Sequence, residues 1–480
     1  LLTSELEIAF EKAGYDKQYA KVTLSNRPDL CEYQCNGAMA AVKVYRKAPI
    51  MIANDVVAAL DGCPCIAKVE AVNPGFINIT LDAAFVAEYL KNMNAEDKLG
   101  MPEPERVKTL MVDYGGANVA KPLHVGHLRS AVIGESIKRI NRFMGHDIIG
   151  DVHLGDWGLQ MGLIIVELKE RKPELPYFDE AFEGEYPEEA PFTISELEEI
   201  YPCASGKSKE DEDYKKAAQT ATLMLQSGHK GYTALWKHII SVSVADLKKN
   251  YDNLNVHFDL WKGESDAQPY INDMVEKFIA DGIAYESQGA IVVDICEEGD
   301  SKELPPCIVR KSDGAANYET SDLATLIERE EIYSPMKYIY LADKRQDLHY
   351  TQFFRVAKKA GIVKPETELK FIGFGTMNGS DGKPFKTRDG NVPSLDEMVD
   401  MVADSVRKRA EESGKNLPDE TVEMVALAAL KFNDLMHDVK SDYVFDTDFA
   451  ADVTIMEEGH ELLERLLAVT QGKAKEKLPI

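Results

Sequence analysis

The sequence predicts an α/β protein. Its main domain is a doubly wound parallel sheet, with a small α/β domain before it and a short helical segment after it. The main observation is that strand-like and helical stretches alternate from residue 107 onward, as parallel strands with helical crossovers require. The predicted strands are residues 107–114, 147–153, 337–342 and 369–375. The predicted helices are residues 126–144, 159–171, 350–360 and 395–412.

Two regions lie outside this alternation. Residues 1–104 have the pattern of a separate α/β domain, in which helical stretches flank short strands such as residues 76–81. An acidic, proline-containing linker is predicted at residues 102–105. Residues 173–290 become helical and acidic, which indicates an insertion between the two halves of the sheet. The charge run at residues 207–216 is interpreted as the solvated start of a helix, and no catalytic or binding role is assigned to it.

Composition limits the classes of protein to which the chain can belong. With 480 residues, 44% of them hydrophobic, about two to four domains are expected. The 82 acidic and 55 basic residues give a formal net charge of −27, which argues against a protein dominated by non-specific nucleic-acid binding. A nucleic-acid partner would require basic residues clustered on one face. Because no apolar run reaches membrane length and no signal-peptide pattern opens the chain, we expect a cytoplasmic protein without a membrane partner.

The seven cysteines follow no pattern of a disulfide framework or a metal site. Cys31 and Cys35, and then Cys63 and Cys65, lack a second pair or histidines at zinc-ligand spacing. We therefore expect free or buried thiols in a reducing compartment and no metal site.

The most informative stretch is His124-Val125-Gly126-His127. A predicted strand precedes it and a helix follows it, so two imidazoles and a glycine lie on the turn that opens a helix. Backbone N–H groups and the positive end of the helix dipole favour an anion there, and the glycine lets a ligand approach the backbone closely. Since the histidines can donate hydrogen bonds to phosphate oxygens, the pattern predicts activation of an acid by a nucleoside triphosphate. The alternative is two surface histidines beside a helix start.

A second phosphate-binding element is predicted late in the sheet. Residues 373–391 form a loop with five glycines and the basic side chains Lys383, Lys386 and Arg388. Such a loop can close over a pyrophosphate and neutralise charge in a transition state. The local sequence alone leaves an ordinary surface loop as an equal alternative.

Polar residues also follow the predicted strands or start a predicted helix. Asp113 ends the first strand and Asn118 lies in the loop after it, so both face the edge at which such sheets bind ligands. Tyr318 and Asp322 are four residues apart and share one face if a helix begins there. The alternative is that Thr320 or Ser321 caps the helix and explains its polar start.

Together, the stretches around HVGH resemble class I arginyl-tRNA synthetases. They are Asn118–Pro122 before it, His127–Ser130 after it, and HLGDWGLQMG from His153 to Gly162. The resemblance covers about residues 25–453 in the order expected for the family. It implies a Rossmann-like catalytic domain of the HxGH type at residues 105–425, with residues 173–290 as the connective insertion. It also implies an N-terminal module at residues 1–104 that contacts the outer corner of the tRNA.

The resemblance also implies the roles of individual residues. Those for catalysis are Lys121, His124, Gly126, His127, Lys383, Lys386 and Arg388. Those for binding arginine are Asp113, Asn118, His124, Tyr318, Asp322 and Gln346. Those for binding ATP are Lys121, His124, Gly126, His127, Gly375 and Met377.

The basic loop departs from the KMSKS motif of the family. It contains KPFKTR, with Thr387 at the place of a lysine. Some arginyl-tRNA synthetases show the same loss together with a lysine just before HxGH, and Lys121 stands there. The resemblance therefore implies that Lys121 supplies the missing positive charge.

The end of the chain departs from the family as well. Residues 426–446 resemble the segment that closes the catalytic domain, but the resemblance stops after Val453. Residues 426–480 are therefore interpreted as a helical segment, the remnant of a longer anticodon-binding domain. On this interpretation these 480 residues bind arginine and ATP but charge tRNA poorly.

The predicted function is that of an arginine–tRNA ligase. The chain would use ATP with Mg²⁺ to form arginyl-adenylate, and would then transfer arginine to tRNA(Arg). A different class I synthetase is the nearest enzyme alternative, but Asp113, Tyr318 and Asp322 argue against apolar or thiol substrates. The alternative from another class is a catalytically silent relative that binds tRNA or a protein. We expect a monomer.

Overall fold

The computed structural model describes residues 1–60, 62–121, 123–312, 314–385 and 392–446. The chain forms two compact units, Leu1–Pro102 and Glu103–Val453, the second described as far as residue 446. None of the described helices is long and apolar enough to cross a membrane.

The first unit is a four-stranded antiparallel sheet covered by helices. Its helices are α1 (Leu2–Lys12), α2 (Gly37–Tyr45), α3 (Pro49–Ala59) and α4 (Ala83–Ala95). Its strands are β1 (Val22–Leu24), β2 (Tyr33–Cys35), β3 (Ile66–Val72) and β4 (Phe76–Leu81), in the order β1-β2-β4-β3. Phe10, Ile52 and Ile77 are fully buried in its core. The strand predicted at residues 76–81 is confirmed.

The second unit contains the predicted parallel sheet. Its strands are β5 (Thr109–Asp113), β6 (Asp147–Asp151), β7 (Tyr285–Ser287), β8 (Ala290–Val293), β9 (Cys307–Arg310), β10 (Lys337–Asp343), β11 (Glu368–Phe374), β12 (Met377–Asn378) and β13 (Tyr443–Val444). The central sheet has the order β11-β10-β5-β6 with every pair parallel. All four strands predicted from the sequence are confirmed, with boundaries shifted by one or two residues. Because the strands are parallel, their carboxyl ends meet at one edge.

The helices of this unit cover both faces of the sheet or pack on one another. They are α5 (Val125–Phe143), α6 (Leu159–Arg171), α7 (Ile194–Glu210), α8 (Glu212–Gln226), α9 (Lys230–Asn253), α10 (Glu264–Ala280), α11 (Tyr318–Ile332), α12 (Asp347–Lys359), α13 (Leu395–Glu412) and α14 (Asp419–Leu435). Successive residues of β5 point to opposite faces. Val112 joins the core that contains Leu128 of α5, whereas Met111 joins the core that contains Leu323 of α11 and Phe353 of α12. The predicted doubly wound arrangement is therefore confirmed.

The insertion differs from its prediction in two respects. It is not helical throughout, because β7 begins at Tyr285 and pairs with β8 and β9 in a small antiparallel sheet. The charge run at residues 207–216 is also more than a solvated helix start. Lys207 Nζ lies 2.8 Å from a carboxylate oxygen of Glu167, and the Tyr214 hydroxyl donates to the same oxygen at 2.7 Å. Since the Glu167 side chain is 2% exposed, the run neutralises a buried charge.

The segment after the basic loop is tied to the start of the sheet domain. In α5, Arg129 Nε lies 2.8 Å from Asp434 Oδ1 of α14, and both side chains are almost completely buried. The Tyr443 hydroxyl donates to the same oxygen at 2.9 Å. A domain boundary between residues 425 and 426 would fall within α14, which packs as a whole against α13 and α5.

Gly162 lies where α6 and α8 approach closely. A Cβ atom at this position would lie 2.0 Å from the main-chain oxygen of Ala218 and 2.2 Å from Thr222 Oγ1. Neither neighbour can move without displacing α8, because one is backbone and the other is buried. The contact between these two helices therefore depends on a glycine.

We predict that Gly162→Ala lowers the free energy of unfolding of this unit by about 1–3 kcal/mol, the usual cost of overpacking, and so lowers the midpoint of its unfolding. The matched control is Gly206→Ala in α7, where a Cβ would meet nothing within 4 Å. That variant should leave the midpoint unchanged or raise it slightly, because alanine favours helix. Chemical denaturation monitored by circular dichroism measures both. Equal effects of the two substitutions would contradict the close-contact explanation.

Candidate functional site

The two histidines of HVGH cap the helix that follows β5. His124 is the N-cap of α5, and its Nδ1 accepts a hydrogen bond from the Gly126 N–H at 3.0 Å. In return, His127 Nδ1 accepts from the His124 N–H at 3.1 Å. A ring nitrogen that accepts an N–H bond carries no proton, so each neutral ring bears its proton on Nε2. The capping interaction thus prepares two N–H donors.

The surroundings keep both rings uncharged. The His124 side chain is partly open to solvent, but the protein atoms around its ring remove water from it and lower its pKa. The nearby Lys121 ammonium lowers the pKa further. Burial lowers the pKa of His127 to about 3, and the interactions with the neighbouring His124 ring and the Lys121 ammonium act in the same direction. The ring centroids lie 4.0 Å apart, so a proton on one ring would disfavour a proton on the other. The two histidines therefore form a neutral donor pair near neutral pH.

Gly126 is required by its neighbour. A Cβ at this position would lie 2.9 Å from Cε1 of the His124 ring and 3.1 Å from Nδ1. A larger residue would press on the ring that accepts the Gly126 N–H, and the ring would have to shift. The structure thus gives a steric reason for glycine between the two histidines.

The loop before HVGH is held by the insertion. The Ala120 N–H donates to Ser243 Oγ of α9 at 2.9 Å, in a residue with φ of 56°. Lys121 Nζ lies 4.5 Å from the centre of the Tyr201 ring of α7. A cation above an aromatic face is stabilised without losing its charge. The Lys121 side chain lies close enough to lower the pKa of both histidines.

Four of the residues predicted to bind arginine line one cavity. Asp113, Tyr318, Asp322 and Gln346 surround a space of about 590 Å³ at the carboxyl edge of β5 and β10. The cavity is also lined by residues that the sequence did not single out for chemistry. They include His153, Thr325, Arg329, Tyr340, Arg345, His349 and Tyr350.

Asp113 already has a cationic partner in the protein. Arg329 Nη2 of α11 lies 2.6 Å from Asp113 Oδ2 and 2.7 Å from Asp151 Oδ2, so one guanidinium joins the ends of β5 and β6. Burial raises the pKa of Asp113, while the charge of Arg329 opposes that change. Asp113 lines the cavity, but part of its hydrogen-bonding capacity is used by Arg329.

Tyr318 and Asp322 lie on one helix face, as predicted. The helix begins at Tyr318, with Asn317 as N-cap accepting from the Thr320 N–H at 3.1 Å. Thr320 and Ser321 lie inside the helix, so neither is its N-cap. The Thr320 hydroxyl nevertheless accepts from the Asn317 N–H at 3.3 Å and completes a capping box, so the capping alternative is correct in part. Asp322 Oδ2 lies 2.6 Å from His349 Nε2 of α12. Tyr318 is 74% exposed and lies at the mouth of the cavity.

Several buried polar atoms in the cavity wall have no hydrogen-bond partner among the described residues. They are both ring nitrogens of His153, Oγ1 of Thr325 and Nε of Arg329. Buried polar groups in folded proteins are nearly always paired, so such atoms require an explanation. His153 also has φ of 42°, a backbone conformation that non-glycine residues rarely adopt. A polar ligand in the cavity would satisfy these atoms.

Asn118 lies outside the residues that line this cavity. It forms a parallel bridge with Gly155, where a Cβ would lie 2.3 Å from Asn118 Oδ1. Gln160 donates to the neighbouring Val119 carbonyl. These contacts join the loop after β5 to the HLGDWG loop, so Asn118 has a structural role in packing these two loops together. Its contact with arginine stays a prediction.

The described part of the basic loop is bound to the segment that follows α14. The Gly375 N–H donates to the Val439 carbonyl at 2.9 Å, and its own carbonyl accepts from Arg129 at 2.7 Å. Met377 is 6% exposed, within the pairing of β12 and β13. ATP contacts by these two residues stay predictions, since their observed contacts are within the protein. Lys383 is exposed after a turn.

Three residues of KPFKTR, namely Lys386, Thr387 and Arg388, lie outside the residues that the structure describes. The roles predicted for Lys386 and Arg388 stay predictions.

The missed residues left weak signals in the sequence. His349 follows Gln346 by three residues and lies in the first turn of α12, for which Gln346 is the N-cap, so its position beside a predicted site residue was a signal. Arg329 lies late in α11, and its partners Asp113 and Asp151 are more than 170 residues away. No local pattern reveals such a pairing.

Comparison with known proteins identifies the two units. The model of class I tRNA synthetases (R), catalytic domain, matches residues 89–447. The model of the arginyl tRNA synthetase N-terminal domain matches residues 1–81.

Individual relatives agree with these matches. The chain is 59% identical over 458 residues to the arginine–tRNA ligase of Agathobacter rectalis, and 54% identical over 450 residues to that of Alkaliphilus oremlandii. Each match spans 93% of this chain and 77% of the relative. The crystal structure of arginyl-tRNA synthetase from Plasmodium falciparum has the same fold, with a TM-score of 0.75 at 22% identity over 99% of this chain and 81% of that chain. The chain belongs to the arginyl-tRNA synthetase family of class I.

Proposed function

We propose that the chain is an arginine–tRNA ligase, which forms arginyl-adenylate from arginine and ATP and passes the arginyl group to tRNA(Arg). The observation that supports this most directly is one cavity at the carboxyl edge of the sheet. Asp113, Tyr318, Asp322 and Gln346 line it, and the HVGH turn follows β5 at the same edge. The curated relatives are ligases, so they favour this function over that of a silent relative.

The first step is the attack of the arginine carboxylate on ATP. A carboxylate oxygen bonds to the α-phosphorus, the bond to the bridging oxygen breaks, and its electron pair leaves with pyrophosphate. Negative charge grows on the phosphate oxygens during this displacement. The Nε2–H groups of His124 and His127 are donors suited to that charge, since their Nδ1 atoms are held by the backbone.

The substrate side chain requires an anionic acceptor. Asp322 lies one helical turn from Tyr318 and presents a carboxylate to the cavity. A guanidinium is planar and carries five N–H donors, so a carboxylate, a phenol and an amide such as that of Gln346 can satisfy it together. An apolar or thiol substrate would leave the Asp322 charge facing a non-cationic group.

The second step transfers the arginyl group to RNA. A ribose hydroxyl of the tRNA terminus attacks the carbonyl carbon of the adenylate, and AMP leaves. We propose that the N-terminal unit contacts the tRNA, following the domain that its residues match. Because the catalytic-domain match extends to residue 447, we assign only the residues after it to an anticodon-binding part. The net charge of −27 requires these contacts to be local, because long-range repulsion opposes a polyanion.

ATP is expected to enter with Mg²⁺ on its phosphates. Within the described ranges, no three His, Cys, Asp or Glu side chains converge on a position for a metal ion. The ATP phosphates and water would then supply most of the ligands, since this ion gives up its water reluctantly. A cytoplasmic location and a monomeric state belong to the same proposal.

The proposal is tested first by substrate specificity. Asp322→Asn keeps the shape of the side chain and removes its charge, so we predict a rise in arginine KM by about 30-fold or more, the lower limit for a buried charged pair. Citrulline, which lacks the charge, should be discriminated against less than by the unchanged protein. The assay is ATP–pyrophosphate exchange in the presence of tRNA.

The matched control for this substitution is Glu331→Gln, an exposed position on the same helix. It should leave the arginine KM unchanged. An arginine-to-citrulline preference that Asp322→Asn does not alter would place Asp322 outside the binding site. Exchange that depends on another amino acid would overturn the proposed function itself.

A second test separates transition-state stabilisation from ATP binding. His124→Ala and His127→Ala each remove one prepared donor, and we predict a fall in kcat of about 100-fold or more for each. The KM for ATP should change much less, because the donors act mainly on charge that develops in the reaction. Variants with near-normal kcat would refute this role.

A third test concerns the cation beside the histidines. We predict that Lys121→Ala depresses adenylate formation by about 100-fold or more, because a positive charge near the phosphates is lost. Adding lysine in Thr387→Lys should recover part of that loss. Lys415→Ala, which removes an exposed lysine between α13 and α14, is the control. A fully active Lys121→Ala protein would contradict the compensation.

A further inference from the structure

His349 lies between two carboxylates in the wall of the cavity. Its Nε2 is 2.6 Å from Asp322 Oδ2, and its Nδ1 is 3.1 Å from Glu319 Oε1. Carboxylate oxygens only accept hydrogen bonds, and a neutral imidazole has a single N–H. Both contacts are satisfied together only when both ring nitrogens carry protons. The geometry therefore requires His349 to be a cation.

The fold holds this group of three residues rigidly. Glu319 and Asp322 lie three positions apart on α11, and His349 lies in the first turn of α12. The three side chains are only 18–25% exposed. The His349 ring also contacts the Tyr350 ring edge-on, with centroids 5.0 Å apart. The cation cannot turn to solvent without losing these contacts.

Other charged and titratable groups near the three residues come from six elements and their ends. They include Glu264 of α10, Cys307 of β9, Lys311 after β9, Asp113 of β5, Tyr340 of β10, Arg329 of α11 and Tyr350 of α12. Burial disfavours the charged form of His349, but the bonds to Asp322 and Glu319 outweigh it and raise its pKa to about 9. The cation is thus present at neutral pH and is lost as pH rises through about 9.

We propose that His349 is a positioning residue for arginine recognition: as a cation bridging Glu319 and Asp322, it fixes the carboxylate that receives the substrate guanidinium. This proposal rests on the proposed function, because it names the group that orients Asp322 in that site. Two effects follow from the geometry. The bond from Nε2 holds the Asp322 side chain in one orientation, which reduces the ordering needed when substrate binds.

The second effect concerns charge. With His349 protonated, the three side chains carry one net negative charge, which matches one guanidinium. Without it, two carboxylates on adjacent turns would repel each other, and one would take up a proton or a solvent cation. His349 therefore adapts the site to a single monovalent cation by acting through Asp322 and Glu319.

The test is His349→Gln, which keeps a hydrogen-bond donor but removes the charge and one of the two bonds. In exchange assays with tRNA at pH 7.5, we expect the arginine KM to rise by about 10–100-fold, the range for losing a hydrogen bond to a charged group. The kcat at saturating arginine and the KM for ATP should change by less than about threefold. An unchanged arginine KM would overturn the proposal.

The pH profile separates positioning from a merely structural role. The ratio of the variant KM to the unchanged-protein KM should fall towards one as pH rises past about 9, since the unchanged protein then loses the same charge. Using the ratio cancels the titration of the amino group of arginine. A ratio that stays constant from pH 7 to 10 would overturn the proposal.

Two measurements keep the outcomes distinct. Nitrogen chemical shifts of the His349 ring in the unchanged protein at pH 7.5 should show an imidazolium, whether or not the variant folds. A neutral ring would refute the bridge directly. If the unchanged protein catalyses no arginine-dependent exchange, the proposed function fails. If it does and His349→Gln behaves like it, only the positioning role fails.

Discussion

The arrangement of the cavity at the carboxyl edge of the sheet depends on one buried guanidinium. Arg329, 3% exposed, bonds to Asp113 and Asp151 at the ends of two adjacent strands. It belongs to α11, the helix that also carries Tyr318 and Asp322. One side chain therefore fixes the distance between that helix and the sheet edge. Removing one partner of such a buried network leaves an unpaired charge at a cost of about 3–5 kcal/mol, so the cavity wall and the stability of the domain are coupled.

A second buried arginine joins the HVGH helix to the segments that follow β11 and α14. Arg129 lies one turn into the helix that begins at HVGH, and it bonds to Asp434 and to the main chain of Gly375 and Ser441. The start of the basic loop and the segment after α14 thus share one cation with the HVGH helix.

The sequence predicted the elements well and the pairings poorly. Strands β5, β6, β10 and β11 were found because apolar runs bounded by turns are local patterns. The grouping of Asp113, Tyr318, Asp322 and Gln346 followed from resemblance, since their separation along the chain exceeds 200 residues. Arg329 was missed because its buried ion pairs join elements that are remote in sequence, and periodicity carries no information about such pairs. The partners of His349 are only 27 and 30 residues away, but they belong to another helix, and the periodicity of one helix does not reveal its contacts with the next. The small β7-β8-β9 sheet was missed because its strands are only three or four residues long.

The two ends of the proposed site use charge in opposite ways. At the guanidinium end, carboxylates are retained and partly neutralised by Arg329 and His349, so a cation is attracted without excess negative charge. At the phosphate end, the histidines are kept neutral by burial and by Lys121, although an anion is to be bound there. A permanent imidazolium would bind ATP and released pyrophosphate about as strongly as the transition state. Neutral donors held by the backbone gain most when charge develops, which is the condition under which binding energy lowers a barrier instead of only tightening a complex.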